Sequence, residues 1–357
     1  MIRHLCDYIL MPKSRSIKNR VLRLVELRKV ELFDEELRPL QEDEVLVAIR
    51  SVGICGSDIH YFLEGGLGSF KQKFPMEMGH EPSGIVADSR APREFKSGDR
   101  VTIEPGKACF HCDFCMKGKQ NLCRNVTFMG ANAPGALADY VIVHKSQLAK
   151  IPKGMSYDMA ALLEPLGIGL HAMNLIRPKN TESATIIGSG PIGLCLMMIL
   201  RKAGLQEIYM ADTLPYRVKF AKKMGATGSF PIGKAVAEIK KLTDGQGTTY
   251  AFDTAGTQDS VTACGDLVSI GGTIGLIGIP TADTVDYNPH RLRTKEIRIQ
   301  NVRRSNQTLH DCLKLFSSDH KLEKIVTHSF DLKDAQKGFD LVSKYADCVL
   351  KCVITNK

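Results

Sequence analysis

The sequence predicts a chain of mixed class, α/β and β. A β-rich, barrel-like unit is joined to a doubly wound parallel sheet. Three observations predict this. Residues 20–160 hold short alternating or apolar runs separated by turns. From about residue 161, apolar strands alternate with segments of helical periodicity. A glycine-rich turn, "IIGSGPIGL", stands at the head of this second rhythm.

In the first region the runs are "VLRLVEL", "EVLVAIRSVG", "SGIVAD", "DRVTIEP" and "ADYVIV". Their regular spacing suits a barrel-like β unit. In the second, "SATIIGSGPIGLCLMMILRKAG" reads as strand, glycine turn and helix, and "EIYMADT" as the next strand. "PYRVKFAKKMGA" has helical periodicity, while "AFDTAG", "GGTIGLIGIP" and "EIRIQNV" are short strands. The last fifty or so residues add two amphipathic helices, "TLHDCLKLFSSD" and "AQKGFDLVSK", and a closing strand, "DCVLKCVIT".

The bulk composition is that of an ordinary globular protein: 357 residues, 43% hydrophobic and 24% charged. No run of eighteen apolar residues appears, so no membrane span is expected. The net charge of +9 could suggest nucleic acid. In residues 1–30, however, eight basic side chains face only Asp7 and Glu26, so most of the excess is local. The first 19 residues read as a basic extension. Eleven cysteines without a secretory leader point to a reduced, cytoplasmic setting.

The glycine turn reads Gly188-x-Gly190-x-x-Gly193 between a strand and an apolar helix that opens at Pro191 and Ile192. The first glycine allows the tight turn, the second lets backbone approach a pyrophosphate, and the third lets helix pack on strand. The helix N-terminus offers unpaired N–H groups to phosphate. Asp212 ends the next strand, 19 residues after Gly193. An acid there accepts from ribose hydroxyls and repels a 2′-phosphate, which favours NAD. Arg217 complicates this, because a nearby arginine can hold that phosphate. A glycine turn without any dinucleotide is the alternative.

Cys55, Ser57, Asp58, His60, His80, Glu81 and Glu164 are scattered candidates for a metal or acid–base site. Each alone has a plainer reading, a core cysteine or a hydrogen-bonded surface pair. Cys109, Cys112, Cys115 and Cys123 differ: four thiolates within fifteen residues can fill a tetrahedral shell and leave no open position. That predicts a structural ion. An iron–sulfur site and a zinc finger are the alternatives. Nothing else suggests electron transfer, and no basic recognition helix follows.

The segments "VGICGSDIHYF", "FPMEMGHEPSGIV", "GDRVTIEPG", "CFHCDFCMKGKQNLC", "GALADYVIV", "ALLEPLGIGLHA" and "SATIIGSGPIGL" together resemble the zinc-containing medium-chain dehydrogenase/reductase family, in its sorbitol (polyol) dehydrogenase-like branch. The resemblance covers roughly residues 20–357. It implies a GroES-like catalytic domain over 20–165 and 302–357 and a Rossmann domain over 166–301. It implies two zinc ions per chain. Cys55, His80 and Glu81 would hold the catalytic ion, with Glu164 approaching it or its water. The four-cysteine run would hold the structural ion. Ser57 and His60 would relay the proton, although "GSD" is also a common turn signal. Tyr61, Arg303 and Arg304 would meet the substrate.

The sequence departs from that pattern at "NVRRSNQ", where Arg304 replaces the tyrosine of an Arg–Tyr pair. Two readings stay open: Arg304 holds a polar or anionic substrate through paired hydrogen bonds, or it points to solvent. The expected activity is NAD-dependent oxidation of a secondary hydroxyl on a small-molecule polyol or sugar alcohol. A sugar-acid, vicinal-diol or amino-alcohol dehydrogenase is the nearest alternative. A zinc-free quinone-type reductase and a non-enzymatic nucleotide sensor stand further off. No nucleic-acid or membrane partner is expected. A homodimer or homotetramer is, with the strands near 274–279 and 297–302 as candidate pairing edges.

Overall fold

The computed structural model describes residues 17–356. The basic extension expected over 1–19 falls outside these residues up to position 16. Its last two residues behave differently from the expectation. Lys18 and Asn19 open the strand Lys18–Glu26, and the buried Asn19 side chain accepts from the Tyr140 N–H at 2.9 Å. A buried amide with a backbone partner belongs to the fold.

Two sheets organise the molecule. The first has seven strands. Along its main path run Leu148–Lys150, Arg100–Ile103, Glu81–Ser89, Glu44–Gly53, Lys351–Thr355 and Val326–Asp331, and Tyr140–His144 also pairs with Glu44–Gly53. The chain's last strand thus returns to the middle of a sheet built by its first third. Val353 lies opposite Gly53, and Gly53 lies opposite Glu81.

The second sheet has six strands in the order Gly228–Pro231, Glu207–Asp212, Ser183–Ile187, Thr248–Asp253, Val268–Leu276 and Arg298–Asn301, all parallel. This is the doubly wound 3-2-1-4-5-6 order, with its switch point between Ser183–Ile187 and Thr248–Asp253. Ile186, Ile208 and Phe252 face one core, while Ile187, Ala211 and Ala251 face the other. Burial on both faces is why these strands read as apolar runs rather than alternations.

The boundary expected near 165 cuts through a single helix, Leu163–Ile176, buried along most of its first two-thirds. Together with the turn before it, the stretch Tyr157–Ile176 is long and apolar enough to span a bilayer, yet most of it lies inside the protein. It packs on the helix Pro191–Lys202 in a core that also holds Ala149 and Leu350. A helix apolar all round is a core helix here. Its N-terminal end carries Glu164 toward the first sheet.

Gly193 shows how closely the turn is packed. A Cβ there would lie 1.9 Å from the Gly188 carbonyl oxygen, and Gly188 itself has φ +106°. Gly193→Ala is therefore expected to cost about 1–3 kcal/mol by overpacking and to weaken dinucleotide binding. Thermal unfolding and a NADH fluorescence titration measure the two; an unchanged melting temperature would contradict the close approach.

Candidate active site and cysteine lobe

Cys55 is the N-cap of the helix Gly56–Glu64. Its sulfur therefore sits at the positive end of that helix. Asp58, one turn in, is fully buried and acts as the hub. It accepts from Cys55 N at 2.9 Å and from Gly79 N at 3.3 Å, and its Oδ1 lies 3.5 Å from His80 Nδ1. Burial opposes the Asp58 charge, but His80 and the two amides outweigh it and hold its pKa below the usual range. Burial likewise opposes an imidazolium at His80, and Asp58 and Cys55 outweigh it, so its pKa is raised well above the ordinary value.

Glu81 opens its strand beside His80. Its Oε1 accepts from Lys351 Nζ at 2.7 Å, and the same ammonium donates to Ile54 O at 3.0 Å. Burial opposes the charge on Lys351; Glu81 offsets it and raises the pKa. Glu81 Oε2 lies over Gly53, where a Cβ would come within 1.9 Å of it, and has no aligned hydrogen-bond donor.

Donor atoms of Cys55, His80 and Glu81 all lie within 4.8 Å of one another. Three protein donors with a mixed S, N and O set leave a position open on a divalent cation, the arrangement of a catalytic site. Glu164 lies outside this triad. It is buried, its Oε2 has no partner, and burial pushes its carboxyl up to about 8. Glu81 Oε2 lies 2.5 Å from Lys351 Nζ, so the ammonium reaches both oxygens of that carboxylate. The buried Glu164 oxygen has no donor and fits a cation or a substrate hydroxyl nearby.

Ser57 and His60 sit half-buried, three residues apart and hence on one face of the Gly56–Glu64 helix. His60 Nδ1 lies 3.6 Å from Glu64 Oε1. Tyr61 is buried on the same helix, and burial raises its phenol pKa.

The two arginines separate. Arg303 is exposed, and its backbone carbonyl accepts from Asn121 Nδ2 at 2.9 Å. Arg304, at φ +57°, turns inward and stacks its guanidinium 4.2 Å from the Phe128 ring centroid. Of the two arginines expected at the substrate, Arg304 is thus turned inward and Arg303 stands at the exposed surface beside it.

At the glycine turn, Gly190 is the N-cap of Pro191–Lys202, with Pro191 in the first turn where a missing N–H costs nothing. Ile192 and Gly193 follow on that helix, with Gly193 buried. Asp212 Oδ2 accepts from Ser189 N at 2.7 Å and Oδ1 from Leu214 N at 2.9 Å. Arg217 Nη1 is 4.0 Å from Asp212 Oδ2, and its guanidinium lies over Tyr345. The Ser189 hydroxyl and Arg217 Nε are buried without partners. The turn, the acid and these two unused donors fit a dinucleotide. A separate cavity of about 920 Å³, lined by Asp253, Gln258, Asp286 and Arg291 among others, touches neither the donor triad nor the glycine turn.

Cys109, Cys112, Cys115 and Cys123 bring their sulfurs within 4.8 Å of one another. Backbone N–H groups of Cys115 and Arg124 aimed at Cys112 bring its pKa down to about 6, so a thiolate is available at neutral pH. His111 is exposed and bonds the Cys109 carbonyl at 2.7 Å, outside the sulfur set. The lobe also grips the arginine segment: Asn306 and Gln307 donate to Gly118 O at 3.0 and 3.2 Å, beside the Asn121 contact.

Known proteins share this layout. The family model described as alcohol dehydrogenase GroES-like domain matches residues 41–153, and the one described as zinc-binding dehydrogenase matches residues 191–318. Sorbitol dehydrogenase of Bacillus subtilis is 32% identical over 333 residues, covering 92% of this chain and 94% of its own. The chain belongs to the zinc-containing medium-chain dehydrogenase/reductase family. Within it the chain falls in the sorbitol dehydrogenase-like branch. An L-threonine 3-dehydrogenase of Pseudoalteromonas translucida is 31% identical, covering 84% of this chain and 89% of its own. A crystal structure of an Escherichia coli oxidoreductase/dehydrogenase of unknown specificity superposes with TM-score 0.89 at 32% identity, over 95% and 99% of the two chains. This medium-chain dehydrogenase is therefore a zinc-dependent oxidoreductase of the alcohol dehydrogenase type.

Sequence reasoning missed Lys351 as a site residue. Its signal was a lone charge inside the apolar closing strand "VLKCVIT". Phe128, Asn121 and the hub role of Asp58 gave no comparable signal. Two outcomes are expected of this medium-chain dehydrogenase. Lys351→Met should destabilise the metal-free protein by about 3–5 kcal/mol, the cost of leaving a buried charge unpaired. Zinc should restore much of that, because a second cation faces Glu81. Denaturant unfolding with and without zinc measures this, and an equal loss in both states would contradict it. Cys112→Ala should lower unfolding stability and remove one zinc, while Cys55→Ala should remove one zinc and abolish turnover. A folded Cys112→Ala protein that holds two zinc ions would overturn the lobe assignment.

Proposed function

We propose that this dehydrogenase oxidises a secondary hydroxyl of a polyol or sugar-like substrate to a ketone, with NAD as the hydride acceptor. The observation that carries the reading is the Cys55–His80–Glu81 donor triad set beside Lys351 and Asp58. Glu164 supports a polyol over a simple alcohol, since a carboxyl beside the triad offers a partner to a second hydroxyl.

When bound, zinc supplies Lewis acidity toward the substrate oxygen and NAD supplies the hydride acceptor. The chain's own residues do the rest. Cys55, His80 and Glu81 would hold the ion. Ser57 accepts the hydroxyl proton and passes it to His60, from which it leaves at the helix's half-exposed face. Asp58 keeps His80 oriented, the usual task of a carboxylate behind a metal-bound imidazole. Gly188, Gly190 and Gly193 let the pyrophosphate meet the helix N-terminus at Pro191 and Ile192. Asp212, with both oxygens already fixed by amides, is positioned to accept from ribose hydroxyls, and Arg217 flanks it.

The cysteine lobe would hold a second, structural zinc. All ten cysteines among the described residues are free, which suits the cytoplasm. The edge strand Arg298–Asn301, with Ile299 exposed, is the surface we assign to a homodimer or homotetramer.

The test is NADH formation by the zinc-loaded protein with a panel of polyols, vicinal diols and threonine. Polyol oxidation with NAD is expected. Asp212→Ala should weaken NAD and narrow the gap to NADP. A wild-type preference for NADP would refute the cofactor assignment, and turnover of threonine alone would refute the polyol assignment.

A further inference from the structure

The guanidinium of Arg304 is held at the site without a partner of its own. It is half-buried, its Nη1 is shielded from solvent and makes no hydrogen bond, and it enters no ion pair among the described residues. A buried charge without a partner is costly, and burial lowers its pKa accordingly. The backbone is fixed so that it stays there. The left-handed region is disfavoured for a non-glycine residue, and Arg304 sits there at φ +57°. On one side Asn121 holds the Arg303 carbonyl, and on the other Ser305 Oγ donates to Glu104 Oε1 at 2.9 Å. Glu104 and Glu164 lie near enough to favour the Arg304 charge, but neither bonds it: Glu104 is engaged by Ser305, and Glu164 Oε2 is unpaired.

Position relative to the chemistry is set by Phe128. One ring contact joins Phe128 to Arg304, at 4.2 Å, and another joins it to the His80 imidazole, with centroids 5.5 Å apart. The guanidinium therefore stands one aromatic ring away from a donor of the triad. A substrate whose hydroxyl meets the triad would present a different carbon to Arg304.

Resting on the reading above, we propose that Arg304 is the specificity-determining residue of this site and selects an anionic group, a carboxylate or a phosphate monoester, on the polyol substrate. A planar guanidinium forms two parallel hydrogen bonds to either anion, which a neutral hydroxyl cannot match. The stacked Phe128 ring fixes the plane in which they form. In the reaction the carbinol C–H and O–H bonds break and the C=O forms. The hydride goes to NAD and the proton to solvent through Ser57 and His60, and the anionic group is unchanged.

The experiment uses the full zinc-loaded chain with NAD and three substrate arms: neutral polyols such as sorbitol and xylitol, aldonates such as gluconate and idonate, and polyol phosphates such as sorbitol 6-phosphate. One anionic arm is expected to exceed the neutral arm in kcat/KM by at least tenfold, and the better arm identifies carboxylate or phosphate. Arg304→Gln should lower the anionic-to-neutral ratio by about ten- to hundredfold, the loss expected for hydrogen bonds to a charged group. Most of the loss should fall on KM, and Arg304→Lys should restore part of it. A neutral preference in the wild type, or a ratio unmoved by Arg304→Gln, overturns the proposal. If no arm is oxidised, the polyol reading fails. Thermal shifts with the aldonates and polyol phosphates then decide Arg304 separately: stabilisation lost in Arg304→Gln sustains the anion site, and stabilisation equal in both proteins, or absent, overturns it.

Discussion

The Glu81–Lys351 ion pair is the contact on which the rest of the site depends. It forms where three strands meet, at Gly53, because only a residue without a Cβ leaves room for the Glu81 carboxylate there. Lys351 arrives on the last strand of the chain, so the first and final parts of the protein must both be in place before the acid is compensated. Asp58 faces His80 as Glu81 faces Lys351, so each buried acid has a basic neighbour. The donor atoms of Cys55, His80 and Glu81 converge beside these two pairs. A buried pair of this kind is weak evidence for stability but a strong device for orientation.

The cysteine lobe serves this site from outside it. Its four sulfurs converge on one point, and four thiolates would fill a tetrahedral shell and leave no position for substrate. Through Asn121 and Gly118 it grips residues 303–307, which carry Arg304 in its left-handed conformation. Glu104 holds the same segment from the opposite side through Ser305. An ion held by the four sulfurs would thereby have a route to the site: folding energy from metal binding would order the loop, and the loop carries Arg304.

Much of this was legible in the sequence. The glycine turn was readable because its chemistry is local, a strand, a tight turn and a helix within a dozen residues. The four cysteines were readable for the same reason. Cys55, His80 and Glu81 needed the resemblance to a family, since each alone has a plainer reading. Lys351 was hidden because its partner lies 270 residues earlier and only strand pairing brings them together. Which of Arg303 and Arg304 turns inward was also hidden. That choice rests on one positive φ angle, set by side chains more than 180 residues upstream. The start of the fold was misplaced by two residues for a similar reason, since Asn19 is fixed by a contact to Tyr140.

The central claim is that the chain carries two metal sites of different chemistry, one open and one closed. Zinc X-ray absorption on the loaded protein, with metal counted in parallel, tests it most directly. The account predicts two zinc ions per chain, one with four sulfur neighbours and one with a single sulfur among nitrogen and oxygen donors. A single zinc surrounded by four sulfurs, with nothing at Cys55, His80 and Glu81, would contradict it.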